Sequence, residues 1–222
     1  IRSRRPGKTL YIQNILKEDQ FNTSLPTIRG IARYFGILKM VAFPPLEAVE
    51  LVTEISVILK RRGETIAVCE AACGGLISSY LVSVPGASEW FYGGTMVYSL
   101  KSRLKLSGWD SQDIDSYTGP STNVALRLAR NLRLELGATW TLSETGYASQ
   151  SPLAVANDPE AANKTGTVYL GISGPDRDLS KVYATGSTER CQNMQAFALQ
   201  GLQFLLRELR RSEESTKTQH GQ

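Results

Sequence analysis

The 222-residue sequence holds a single histidine, His220, third from its end in a polar stretch, and that scarcity removes several chemistries at once. A Ser-His-Asp triad, a Cys-His dyad and an imidazole-bound zinc all need a histidine inside the folded core. Cysteine is nearly as scarce. Cys69, Cys73 and Cys191 form an odd set that fits buried thiols in a reducing compartment rather than a disulfide framework. Cys69 and Cys73 stand about one helical turn apart, but two further ligands are missing, so no metal site is expected. No apolar run approaches the roughly 20 residues that span a bilayer, which excludes a membrane helix and favours an intracellular, soluble protein. Any nucleophile must then be activated by a lysine, a tyrosine, an arginine field or backbone dipoles.

The net charge of +4 is modest and is concentrated at one end: Arg2, Arg4, Arg5, Lys8 and Lys17 precede the first acid, Glu18. A positive excess that follows no helical face or stripe argues against nucleic-acid binding. Residues 1–44 read as a basic arm with one short helix over 27–38. Three readings stay open for it: a mitochondrial presequence, a solvated disordered arm, or sequence upstream of a start near Met40. The expected location is the cytoplasm, or the mitochondrion if residues 1–39 are a presequence.

From Leu46 the pattern changes. Leu46, Val49, Val52, Ile55, Ile58 and Leu59 recur at helical spacing, with Pro44-Pro45 at the entry and Lys60-Arg61-Arg62-Gly63 at the stop. Residues 65–69 are a short apolar run that predicts a buried strand, and Gly74-Gly75-Leu76-Ile77 opens a helix ending near Gly86. A second strand is expected over 91–98, a charged helical segment over 99–106, and a strong helix over 124–136 capped by Thr122-Asn123. Strands follow over 139–143, 167–172 and 180–184, the last two as a hairpin about Gly174-Pro175-Asp176. A polar loop covers 149–164, a final helix runs over 190–209, and a polar tail occupies 211–222. Strands alternating with helices over 45–210 define an α/β layered domain.

Three clusters bear on chemistry. At residues 69–77 a strand breaks at glycines into a helix, exposing N–H groups that suit an anion, although such turns also serve simply as packing devices. At residues 84–103, Gly86 and Gly93-Gly94 allow tight turns that bring Ser88, Tyr98, Lys101 and Arg103 toward one place. The bland alternative is that Ser88 caps a turn and Tyr98 packs at a sheet edge. Ser143-Glu144-Thr145-Gly146 is a polar strand end that would lie beside the first glycine turn, where open α/β sheets bind ligands.

Together these clusters resemble the C-terminal domain of the CinA competence/damage-inducible family, whose active members are nicotinamide mononucleotide amidohydrolases. The resemblance rests on Glu70, Gly74-Gly75-Leu76-Ile77, Val84-Pro85-Gly86, Ser88, Gly93-Gly94, Tyr98-Ser99, Thr145-Gly146, Gly166-Thr167-Val168-Tyr169 and Arg190, in order and over about residues 45–208. It implies a layered α/β/α domain with a central mixed sheet, no cofactor, and a small nucleotide as substrate or ligand; a homo-oligomer stays open. It also implies Ser88 as nucleophile, with Tyr98 and Arg103 as catalytic partners. Glu70, Ala71, Gly74, Gly75, Thr145, Gly146 and Arg190 would then line the substrate. The reaction would release ammonia through an acyl-enzyme and leave nicotinic acid mononucleotide.

The departures carry equal weight. The family's lysine falls on Arg103, whose guanidinium cannot take a proton near neutral pH. The serine of the family's Ala-Glu-Ser-Cys-Thr-Gly-Gly falls on Ala71 and its threonine on Cys73, which removes two hydroxyls. After Ala148 the family's Gly-Pro is replaced by Ser149-Gln150. Lys101 and Lys105 flank Arg103, but on a helix they project away from it. The alternative function is therefore a catalytically silent nucleotide-binding or interaction domain.

Overall fold

The computed structural model describes residues 43–150 and 159–220. The chain divides into two units, 1–41 and 42–222. The helix expected over 27–38 and nearly all of the basic arm lie outside the described residues.

Helix α1 (Leu46–Arg62) forms where the apolar spacing places it. Glu47 sits in its first turn and Lys60, Arg61 and Arg62 in its last, complementing the helix dipole. Gly63, at φ 63°, closes it by donating its N–H to Leu59 O and Lys60 O. Strand β1 (Ile66–Glu70) is buried throughout. Its alternation sends Ile66 and Val68 into one core beside Trp140 and Leu142, and Ala67 and Cys69 into another beside Leu128 and Leu132. A strand covered on both faces shows no polar alternation, which is why it reads as an unbroken apolar run.

The remaining elements are α2 (Leu76–Val82), β2 (Phe91–Met96), α3 (Leu100–Leu106), α4 (Ser111–Asp115), α5 (Thr122–Leu136), β3 (Trp140–Tyr147), β4 (Thr167–Ser173), β5 (Asp178–Ala184) and α6 (Arg190–His220). The sheet order is β2-β1-β3-β4-β5. β1 runs parallel to β2 and to β3, while β4 is antiparallel to both β3 and β5, so the sheet is mixed. Helices α1, α2 and α6 pack together on one face, burying Ile55, Leu59, Ile77, Phe197, Leu202 and Leu205. Helix α5 lies on the other face and buries Ala125, Leu128, Ala129 and Leu132. It sits close to the strands because Gly171 carries no side chain: a Cβ there would stand 2.7 Å from the Ala125 carbonyl. The Ser143 hydroxyl donates to that same carbonyl at 2.5 Å.

Several boundaries differ from expectation for identifiable reasons. Ser121 caps α5, accepting the Val124 N–H at 3.3 Å, one residue before the expected Thr122. Helix α4 was not anticipated, since its five residues have no apolar period and are defined by an Asp110/Asp113 capping box. Within the loop expected over 149–164, Pro159–Lys164 form a short 3-10 helix. Helix α6 continues to His220 through the expected polar tail, and Glu213 on it pairs with Arg61 and Arg62 of α1.

This topology opens a crevice at the carboxyl ends of the parallel strands. β1 passes to α2 on one face of the sheet and β2 passes to α5 on the other, so their C-terminal ends diverge. β3 extends past the end of β1, because Cys69 pairs with Ser143 and residues 144–147 pair with β4 alone.

Candidate functional site

The turn after β1 is organised by two buried carboxylates. Glu70 Oε2 accepts the N–H groups of Gly75 and Ile77 at 2.9 and 3.1 Å. Its Oε1 accepts the Ser78 N–H at 2.8 Å and the Ser78 hydroxyl at 2.6 Å. Glu144 Oε1 accepts from Ala71 and Cys73 N–H at 2.6 and 2.7 Å, and Oε2 accepts from Ala72 N–H at 3.1 Å. The anion-binding turn expected from the glycines is thus real, but its N–H groups already hold the protein's own carboxylates. Gly74 and Gly75 take positive φ (64° and 99°) to make the turn and do not line the pocket described below. Glu70 is likewise buried, as the structural anchor of this turn.

Burial dominates the electrostatics of the turn. It pushes the Glu144 carboxyl up to about 7, with the Glu70 charge adding to it and the three N–H bonds opposing. Burial, with both glutamates, raises the Cys73 thiol, and burial pushes Cys69 up to about 12, so neither is a ready thiolate. Ligand atoms of Glu70, Cys73 and Glu144 lie within 4.8 Å of one another, a spacing that would suit a cation. Every oxygen of the two carboxylates already accepts an N–H or O–H, however, so a cation would have to displace the bonds that shape the turn.

Beside this turn lies a cavity of about 420 Å³, within the range of small-molecule sites. It gathers Ala71, Tyr98, Arg103, Thr145, Gly146 and Arg190 from the expected site residues, and adds Tyr117 and Ser149. None of its described lining residues is acidic, and two are arginines.

Arg103 lies at the inner end, only 4% exposed. Helix α3 presents it inward because Ser99 and Ser102 form a regular capping box that fixes the first turn. Lys101 and Lys105 stay exposed on the outer side, so no neighbouring lysine substitutes for it. Its Nε donates to Val97 O at 3.3 Å and its Nη2 to Thr145 Oγ1 at 3.1 Å. The guanidinium stacks 4.9 Å from the Tyr117 ring centroid and 5.4 Å from that of Trp109. Among the described residues its Nη1 is buried with no hydrogen-bond partner.

Arg190, at the start of α6, lies at the outer end and is exposed. It donates to Ser149 Oγ and to Tyr98 Oη, each at 3.0 Å. Tyr98 is thus held by an arginine, though by Arg190 and not Arg103, and the residue is 62% exposed.

Ser88 is the expectation that the geometry does not bring to the pocket. It is exposed, on the short 3-10 helix Ala87–Glu89 that precedes β2. Trp90, two residues on, accepts the Ile66 N–H through its carbonyl at 2.8 Å, which places Ser88 at the N-terminal ends of β1 and β2. The pocket is at their C-terminal ends, roughly 20 Å away at about 3.3 Å per strand residue. Missing from the expected set were Tyr117, Ser149 and Glu144. Glu144 carried a signal, as an acid inside an otherwise uncharged buried strand; Tyr117 and Ser149 lie in segments without periodicity.

A mixed five-stranded sheet with helices on both faces, and at its topological switch a pocket whose described lining holds two arginines and no acid, defines an α/β domain of the layered class. The chain belongs to the CinA C-terminal domain family, whose model matches residues 48–209. Among curated relatives, a CinA-like protein of Myxococcus xanthus (strain DK1622) is 36% identical over 143 residues, covering 59% of this chain and 32% of the relative. A CinA-like protein of Nostoc sp. (strain PCC 7120) is 32% identical over 133 residues, covering 59% and 29%. The chain therefore spans about a third of the length of such relatives. The fold matches crystal structures of the competence/damage inducible protein CihA from Agrobacterium tumefaciens (TM-score 0.68, 21% identity, 76% of this chain and 99% of that one) and a competence or damage-inducible protein from Enterobacter asburiae (0.65, 20%, 73% and 98%). Among the described residues no helix is long and apolar enough to cross a membrane.

Proposed function

We propose that this chain is a CinA-like domain that binds a pyridine mononucleotide without hydrolysing its amide. The observation that carries the reading is the pairing of Ala71 with Arg103 in one pocket. The first has no hydroxyl to attack with, and the second, fixed by Val97 O and Thr145, cannot accept a proton. What remains is suited to binding: Arg190 with the Tyr98 and Ser149 hydroxyls for a phosphate, and aromatic walls for a flat ring.

Deamidation of nicotinamide mononucleotide is the second reading, favoured by the survival of Tyr98, Thr145 and Arg190 around one cavity. It lacks its expected nucleophile in the pocket, because Ser88 stands at the far end of the strands. The test is calorimetric titration with the nucleotide together with an ammonia-release assay on wild-type protein and Ser88→Ala. Binding without ammonia supports the proposed reading. Ammonia release that disappears in Ser88→Ala would restore the amidase.

A further inference from the structure

The two arginines of the pocket are held in different ways. Burial fixes Arg103, whereas Arg190 is an exposed side chain on the first turn of α6, and a long side chain in solvent samples many rotamers. Arg190 nevertheless meets Ser149 Oγ and Tyr98 Oη, each at 3.0 Å. For that contact to exist, the residues that follow β3 must be held against the start of α6.

Asn193 holds them there. It lies three residues beyond Arg190 on α6, on the same flank of the helix, and it is fully buried. Its Nδ2 donates to Ala148 O, the carbonyl immediately before Ser149, and to Ser187 O in the loop that enters α6, each at 2.9 Å. Its Oδ1 accepts from the Thr185 hydroxyl, which itself accepts the Ser187 N–H at 3.1 Å. The directions are forced, because two carbonyls can only accept and the hydroxyl has one hydrogen to give. A buried network in which donors and acceptors match in this way specifies one arrangement. Gly166, ahead of β4, leaves room for it: a Cβ there would stand 2.7 Å from Ser187 O and from Thr185 Oγ1. Aspartate at 193 would set an oxygen against both carbonyls, and an apolar side chain would leave them unpaired. Asn193 does not line the cavity, so whatever it does for a ligand it does through the groups it holds.

We infer that Asn193 is a positioning residue for the outer end of the pocket: it docks Ala148 and Ser149 on the first turn of α6 and so presets Arg190, Ser149 and Tyr98 before a ligand arrives. The inference rests on the reading above, in which Arg190 meets the phosphate of a pyridine mononucleotide. Its effect lies in affinity, because a long side chain that is ordered only at the moment of binding weakens the complex by the entropy it then loses.

The experiment is calorimetric titration of the full chain with nicotinamide mononucleotide and with nicotinamide riboside, which lacks only the phosphate. Melting curves establish that each variant is folded. Asn193→Ala is expected to weaken the mononucleotide about fivefold, the scale of one long side chain immobilised on binding, and to leave the riboside unchanged. Added to Arg190→Gln it should cost less than about twofold more, because the group through which it acts is gone. Thr185→Val, which removes one bond of the network and keeps both Nδ2 bonds, should give a smaller loss of the same kind and serves if Asn193→Ala does not fold. Equal losses for the mononucleotide and the riboside, or the full loss in the Arg190→Gln background, would show a general structural role and overturn the inference. A second measurement needs no ligand: the NMR signals of the two Arg190 Nη groups, distinct while each has its own partner, should merge in Asn193→Ala. If the wild-type protein binds neither probe, or binds both equally, the phosphate reading falls and the NMR comparison alone decides Asn193. Guanidinium signals unchanged by the substitution would overturn its positioning role.

Discussion

Arg103 reaches from helix α3 to the Thr145 hydroxyl at the end of β3, 3.1 Å from Nη2 to Oγ1, and this contact ties the inner wall of the pocket to the central sheet. Thr145→Val keeps the shape of the side chain but leaves Nη2 a buried donor without an acceptor. The expected loss is about 1–3 kcal/mol, read as a lowered urea midpoint at unchanged slope. A midpoint within about 0.5 kcal/mol of wild type would show that the guanidinium is held by its aromatic flanks alone.

Arg190 acts at the other end and is exposed, so its removal is expected to spare stability and cost affinity. Arg190→Gln should weaken a phosphate-bearing ligand by about tenfold, the scale of one charge-assisted pair. It should also flatten the dependence of affinity on salt. The affinity for free nicotinate, which has no phosphate, should not move. Equal losses for both ligands would place the phosphate elsewhere.

The buried Glu144 carboxyl predicts a pH signature in stability. Its pKa stands at about 7 in the folded chain against 4.5 as the ordinary value, so between those limits the folded state holds the proton more tightly than the unfolded one. Stability therefore falls as pH rises through that window and levels off above it, by an upper limit on the order of 3 kcal/mol. Glu144→Gln should remove the slope. It should also lower stability at every pH, because the amide cannot accept all three N–H groups of Ala71, Ala72 and Cys73. A slope unchanged in the variant would assign the effect to another group.

How far the sequence reached follows from which forces act locally. Helix α1 and strand β1 were legible because their apolar periods and the glycine stop at Gly63 are written in adjacent residues. The glycine turn was legible as an anion nest, yet its occupant was not. Whether Glu144 or a ligand fills it depends on β3 lying beside β1, which is a long-range pairing. Ser88 failed for the same reason in reverse: ten residues from Tyr98, it is separated from it by the full length of β2. Sequence proximity across a strand is spatial distance, and a motif that spans one cannot be taken as a single site.

The last prediction concerns what the pocket lacks. Ala71 lines the cavity and its N–H is fixed by Glu144 Oε1, so the position of its Cβ is set by the buried turn and not by the size of the side chain. Ala71→Ser would therefore place a hydroxyl in the cavity that also contains Arg103. Arg103→Lys would give that position an amine whose pKa is lowered by burial, one able to take a serine proton. Each single variant should remain silent toward nicotinamide mononucleotide, since one lacks a base and the other a nucleophile. The double variant should release ammonia at least about 10²-fold above the wild-type background, the scale of a positioned general base. A double variant that folds, binds the nucleotide and still releases no ammonia would show that the rebuilt loop at Ser149-Gln150 matters as much as the two side chains.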